Sequence, residues 1–235
     1  MSQGAPASSE RGPKYRGPLP TYENNVTITA EASEGSHHVT LGTGMGPGKV
    51  PKVEGQNVEI GVDQREYFGV KLLAKTIRKI VKDCLDLGYT NIVLPFAELR
   101  RKASAKIDDL HLGRIIGENF LAATYVFDMY RKEKALRVRE VALTGATKDA
   151  QEGLRQGIII GRETNFARDL VNMPPNELTP ERFAEAGRTM FEGTSVIYKE
   201  YTLSELRAKG MNLELLETVG KGSENEPRFV VAEYW

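Results

Sequence analysis

The chain has 235 residues, 40% hydrophobic and 27% charged, enough for one large domain or two modest ones at roughly 150 residues each. Its 32 basic residues balance 32 acidic ones, which argues against a whole-protein field that gathers nucleic acid or anionic membrane. One cysteine and three histidines suit a reducing, cytoplasmic setting and leave any metal site to be built mainly from carboxylates.

Residues 1–21 hold only Leu19 as an aliphatic side chain larger than Ala and read as a flexible tail, since such a stretch cannot offset its ordering entropy. It lacks the apolar core of a secretory signal, and no later run approaches the roughly 18 apolar residues of a membrane span. Strands are predicted at 25–29, 39–41 and 58–62, where β-branched and polar residues alternate. The glycine-rich stretch at 41–50 reads as a loop.

Val70, Leu73, Ile77, Ile80, Val81 and Cys84 recur at helical spacing and predict a helix over 67–87, with Gly88 placed as its C-terminal cap. A short strand follows at 91–94. A second helix is predicted over 109–130, a strand over 136–143 and a third helix over 150–171. That helix must stop at Asn172-Met173-Pro174-Pro175, because two prolines in series remove two backbone donors. Thr179 then caps a helix opened by Pro180 and running to 191. After a strand at 195–199, Thr202-Leu203-Ser204-Glu205 forms a capping box for a short helix ended by Gly210. A last strand covers 228–234.

Strands alternating with long helices define an α/β chain with a largely parallel sheet. The expected organisation is a tail (1–21), an N-terminal α/β domain with a mixed or parallel sheet flanked by helices (22–147), a linking helix (148–172) and the first strands and helices of a second, incomplete α/β domain (173–235).

Local motifs give no active site. Gly48-Lys49 lacks the glycine at position 43 that a phosphate-binding loop needs, and neither glycine register of this loop completes a dinucleotide fingerprint. His37-His38 lies in a Ser/Gly-flanked turn, and neighbours on an extended chain point to opposite sides. His111 has no histidine at helical spacing, and Cys84 sits on an apolar stripe as a core thiol. Residues 131–139 carry five cations without an interleaved aromatic and read as a solvated turn rather than a nucleic-acid surface. Asp108-Asp109 suits a helix cap, and Glu224 and Glu226 fall in a polar turn.

Asn165-Phe166-Ala167-Arg168-Asp169-Leu170-Val171-Asn172-Met173-Pro174-Pro175-Asn176-Glu177-Leu178-Thr179-Pro180-Glu181 resembles the hinge segment of the leucyl aminopeptidases (cytosol aminopeptidases, the M17 metallopeptidases). There a long helix ends at an Asn-x-Pro-x-Asn stretch and the next opens with Thr-Pro-Glu. Met173 departs from the Thr expected at its position. The residues that carry the resemblance are Asn165, Arg168, Asp169, Asn172, Pro174, Pro175, Asn176, Thr179 and Pro180. Gly220-Lys221-Gly222-Ser223 and the strand from Pro227 are similar to a loop and strand of the family, and 122–130 to a helix end of its N-terminal domain.

The resemblance implies a hydrolase that releases N-terminal residues from peptides and assembles as a hexamer in the cytoplasm, without membrane or nucleic-acid partners. Two divalent cations (zinc, manganese or magnesium) activate its water. Their ligands surround an Asn-Thr-Asp-Ala-Glu-Gly-Arg signature that no segment of this chain resembles. No catalytic or metal-binding residue is therefore carried over. The chain reads as the N-terminal part of such an enzyme, serving folding and assembly. The alternatives are a non-catalytic regulatory subunit or, less favoured, a DNA-binding module.

Overall fold

A computed structural model describes residues 26–29, 31–42 and 49–235. The predicted tail and most of the glycine-rich loop lie outside the described residues. The chain forms two compact units, one up to Asp169 and one from Leu170 to Trp235.

The first unit contains β1 (Thr27–Thr29), β2 (His37–Gly42), β3 (Lys52–Glu54), β4 (Asn57–Gly61), α1 (Val70–Asp86), β5 (Asn91–Pro95), α2 (Phe96–Lys102), α3 (Asp109–Thr124), β6 (Glu140–Thr144) and most of α4 (Lys148–Asn172). Among the described residues the strands form one sheet in the order β1-β6-β5-β2-β4-β3. Every pairing is parallel except β3 with β4, which turn on Gly55 at φ +60°. The α/β reading with a largely parallel sheet is borne out.

Sequence explains the layers. Ile92-Val93-Leu94 and Val141-Ala142-Leu143 are buried runs in the interior strands β5 and β6, as strands covered on both faces require. On α1, Leu73, Ile77, Ile80, Val81 and Cys84 are fully buried, and the helix packs on α3. Gly88, at φ +84°, ends α1 where expected. Burial pushes the Cys84 thiol up to about 12, the state of an inert core residue.

The approach of α3 to α4 is unusually close. A Cβ on Gly113 would lie 2.1 Å from the Ala150 carbonyl oxygen, and one on Gly153 would lie 2.0 Å from that of Leu110. Gly117 and Gly157 face backbone in the same way. Glycine inside a helix costs about 1 kcal/mol relative to alanine. Here it lets two helix backbones touch.

Several boundaries differ from expectation. The second predicted helix stops at Thr124 rather than 130, because the carbonyls of its last turn bond elsewhere. The following strand begins at Glu140 rather than 136. His37 and His38 lie in β2 rather than a turn. The short elements β3 and α2 were too brief to register as periodic patterns.

The second unit contains α5 (Pro180–Phe191), β7 (Ile197–Thr202), α6 (Leu203–Ala208), α7 (Glu214–Gly220) and β8 (Arg228–Glu233). Thr179 caps α5 by accepting from the Arg182 amide at 3.3 Å. Thr202 and Glu205 form the reciprocal capping box, and Gly210 follows α6 at φ +75°. β7 and β8 pair antiparallel. The Tyr198 hydroxyl donates to the Ala184 carbonyl at 2.9 Å and so ties β7 to α5. This unit leaves apolar surface in water: Leu215 and Val219 on α7 are each 86% exposed, and Trp235 is 94% exposed.

Candidate functional site

A helix end leaves its last carbonyls without partners, and in α3 the residues of α4 supply them. The Asn165 amide nitrogen donates to the Leu121 carbonyl at 3.0 Å. Arg168 donates to the Ala122 carbonyl at 3.4 Å and to the Asn165 side-chain oxygen at 3.1 Å. Thr124 returns its own hydroxyl to the Leu121 carbonyl at 3.0 Å. Asn165 is fully buried, so its amide must be bonded, and both ends of it are.

Around this clamp stands a ring of polar side chains. The Arg168 guanidinium lies 3.7 Å from the centre of the Tyr125 ring, a cation–π contact. Tyr125 in turn donates a hydrogen bond to the buried Asp169. Arg137 pairs with the buried Asp128 at 2.9 Å, and the Ala135 amide donates to the same carboxylate at 2.8 Å.

The two carboxylates are tuned in opposite directions. Burial raises the Asp169 pKa above the usual carboxylate value, and the bonds from Tyr125 and the nearby Arg137 and Arg168 offset only part of that. Burial also pushes Asp128 upward, but Arg137 and the Ala135 amide outweigh it and hold the carboxyl below its ordinary value. Direct ion pairing decides the difference.

The motif residues thus fall in two places. Asn165, Arg168 and Asp169 meet in the first unit at the end of α4. Asn172, Pro174, Pro175, Asn176, Thr179 and Pro180 belong to the second unit, where the Pro174 carbonyl accepts from the Glu177 and Leu178 amides at 2.9 Å each. This turn leads directly into the Thr179 cap. Tyr125, Asp128 and Arg137 were not singled out from sequence. Their signal was the polar residues interrupting the apolar pattern after Thr124.

The other candidates also receive places. The His37 ring stacks on Tyr89 at 3.5 Å, while His38 is exposed. Asp108 caps α3 through the His111 amide, which with the His111 ring holds its carboxyl low. In the 131–139 stretch, Lys134 donates to the Asp128 carbonyl at 2.9 Å and Arg137 is spent on the Asp128 carboxylate. Part of that basic run is therefore structural. Glu226 pairs with Arg228 at 2.9 Å.

A two-metal centre needs several carboxylates free to ligate. Among the described residues no cluster of three His, Cys, Asp or Glu side chains is placed to hold a metal ion. Asp128 is taken by Arg137, and Asp169 by Tyr125. The cluster does not fit a metal pair, and no catalytic step is derived through one. Among the described residues, no helix is long and apolar enough to cross a membrane.

Residues 165–235 match the model of the cytosol aminopeptidase family, catalytic domain. The probable cytosol aminopeptidase of Roseiflexus castenholzii (strain DSM 13941 / HLO8) is 36% identical over 126 residues, covering 51% of this chain and 25% of the relative. A solved structure of the bottromycin maturation enzyme BotP shares 26% identity at a TM-score of 0.65, covering 80% of this chain and 40% of that one. The structure of BotP in complex with Mn superposes at a TM-score of 0.66 with 23% identity and the same coverage, a likeness of fold. The likeness to the cytosol aminopeptidase family rests on residues 165–235, under a third of the chain. The chain spans a quarter of the curated relative and two fifths of the solved structures.

Proposed function

We propose that these residues are the N-terminal portion of a leucyl aminopeptidase-like metallo-exopeptidase that releases N-terminal amino acids from peptides. In this reading 22–147 form the N-terminal domain, α4 links it onward, and 173–235 open the catalytic domain. The segment folds and supports a cytoplasmic hexamer, while two divalent cations, zinc, manganese or magnesium, are held by parts of the enzyme that this segment does not contain.

The observation that carries the reading is the clamp at the end of α4 within the segment matched to the catalytic-domain model. The Asn165 amide and Arg168 Nη1 bond the α3 carbonyls and each other, which supports a positioning role. Chemistry falls to other residues. The test is hydrolysis of leucine p-nitroanilide by the purified chain in manganese and in zinc buffer. The reading predicts no turnover above the buffer blank, and saturable turnover abolished by a chelator would overturn the non-catalytic assignment.

A second reading, a natural non-catalytic interaction subunit, is favoured by the exposed Leu215, Val219, Tyr234 and Trp235, since apolar surface of this kind seeks a partner. Co-purification of the chain with a longer aminopeptidase subunit would support it, and a strictly solitary chain would count against it.

A further inference from the structure

The first unit carries a cleft that the peptidase reading leaves unused. It lies between α1 and the chain around β3 and β4, and has a volume of about 670 Å³, within the range of small-molecule sites. Its apolar lining comes from Val50, Val62 and Leu72. Its charge is uneven. Five cations line it (Lys49, Lys75, Arg78, Lys79 and Lys82) against three carboxylates.

Pairing sharpens that imbalance. Asp83 is taken by Lys79 and Asp63 by Arg65, and Arg78 is held by the Asn119 side-chain oxygen at 2.8 Å. Lys49, Lys75 and Lys82 have no partner among the described residues, and the remaining unpaired carboxylate of the cleft is Asp86. The periodicity of α1 explains the arrangement. With Leu73, Ile77, Ile80 and Cys84 turned to the core, Lys75 and Lys82 fall on the opposite, exposed face of α1, where they border the cleft. Three unpaired ammonium groups beside an apolar wall suit a ligand with a compact multiple negative charge and a flat apolar body.

We propose that this cleft binds an organic phosphate of nucleotide size, its phosphates taken by Lys49, Lys75 and Lys82 and its body resting on Val50 and Leu72. The site is independent of the aminopeptidase reading and stands or falls by itself. Lysine is a strongly hydrated point charge, so binding is salt-dependent and tolerant of which base the nucleotide carries.

The test uses the full chain, titrated with ATP by isothermal calorimetry at low and physiological salt. Tripolyphosphate and adenosine serve as probes of the charged and the apolar halves. Saturable binding of ATP that Lys75→Glu/Lys82→Glu weakens by at least about tenfold is expected, with adenosine and tripolyphosphate each weaker than ATP. Lys132→Glu/Lys148→Glu makes the same change of net charge in the first unit outside the cleft lining and should leave binding unaltered. The milder Lys75→Gln/Lys82→Gln, checked for an unchanged thermal melt, covers a folding failure of the first variant. Absence of saturable binding, equal loss in the control variant, or tripolyphosphate binding as tightly as ATP overturns the proposal.

Discussion

The Asn165 amide nitrogen donates to the Leu121 carbonyl at 3.0 Å across 44 positions of sequence. One buried side chain thereby closes the end of α3 and orients Arg168. Replacement by Ala removes one of the two donors to the Leu121 carbonyl and one of the acceptors of Arg168, which costs about 0.5–1.5 kcal/mol per bond lost. Urea denaturation of Asn165→Ala should show a lower midpoint with an unchanged slope. Asn165→Asp should be at least as damaging, because it sets a carboxylate against a carbonyl oxygen.

The α3–α4 contact predicts a position-dependent glycine effect. Gly153→Ala places a methyl 2.0 Å from the Leu110 carbonyl oxygen, whereas Gly222 has nothing within 4 Å of an added Cβ. Overpacking against backbone costs about 1–3 kcal/mol or more. Thermal melts should show a large loss for Gly153→Ala and Gly157→Ala and little change for Gly222→Ala.

Asp128 and Asp169 should respond to pH with opposite signs. The folded-state pKa of Asp128 lies below its unfolded value, so its contribution is present above the ordinary carboxylate pKa of about 4 and is lost as pH falls through the folded value. Asp169 is raised; its contribution is full below the unfolded value and is lost as pH rises through the folded one. Denaturation midpoints of Asp128→Asn should converge on wild type at low pH. Those of Asp169→Asn should improve relative to wild type as pH rises toward neutrality.

Leu215 and Val219 lie one helical turn apart on α7, each 86% exposed. Leu215→Glu/Val219→Glu should reduce self-association of the chain at high concentration, read by light scattering, with little change in its melt. Unchanged association would place the sticky surface elsewhere.

Much of this architecture was legible because it rests on local chemistry. Thr179, Thr202-Glu205, Gly88 and Gly210 announce helix ends by their own side chains or by a positive φ, and each stands where the sequence places it. The apolar stripe of α1 and the buried runs of β5 and β6 are periodic signals. The end of α3 was not legible. Phe127 and Tyr130 continue the helical spacing, but the Leu121 and Ala122 carbonyls are claimed by Asn165 and Arg168, more than forty residues away. The same distance hid Tyr125, Asp128 and Arg137 from the candidate site. A seven-residue helix such as α7, with no buried side chain, offers no periodic face to read.

The central claim is that these residues form the front of a longer peptidase. The most direct measurement is the intact mass of the endogenous protein, captured with an antibody to residues 49–67. The account predicts a mass well above the 26.1 kDa of these residues, in a particle with metal-dependent aminopeptidase activity. A single species at 26.1 kDa, with no longer product, would contradict it.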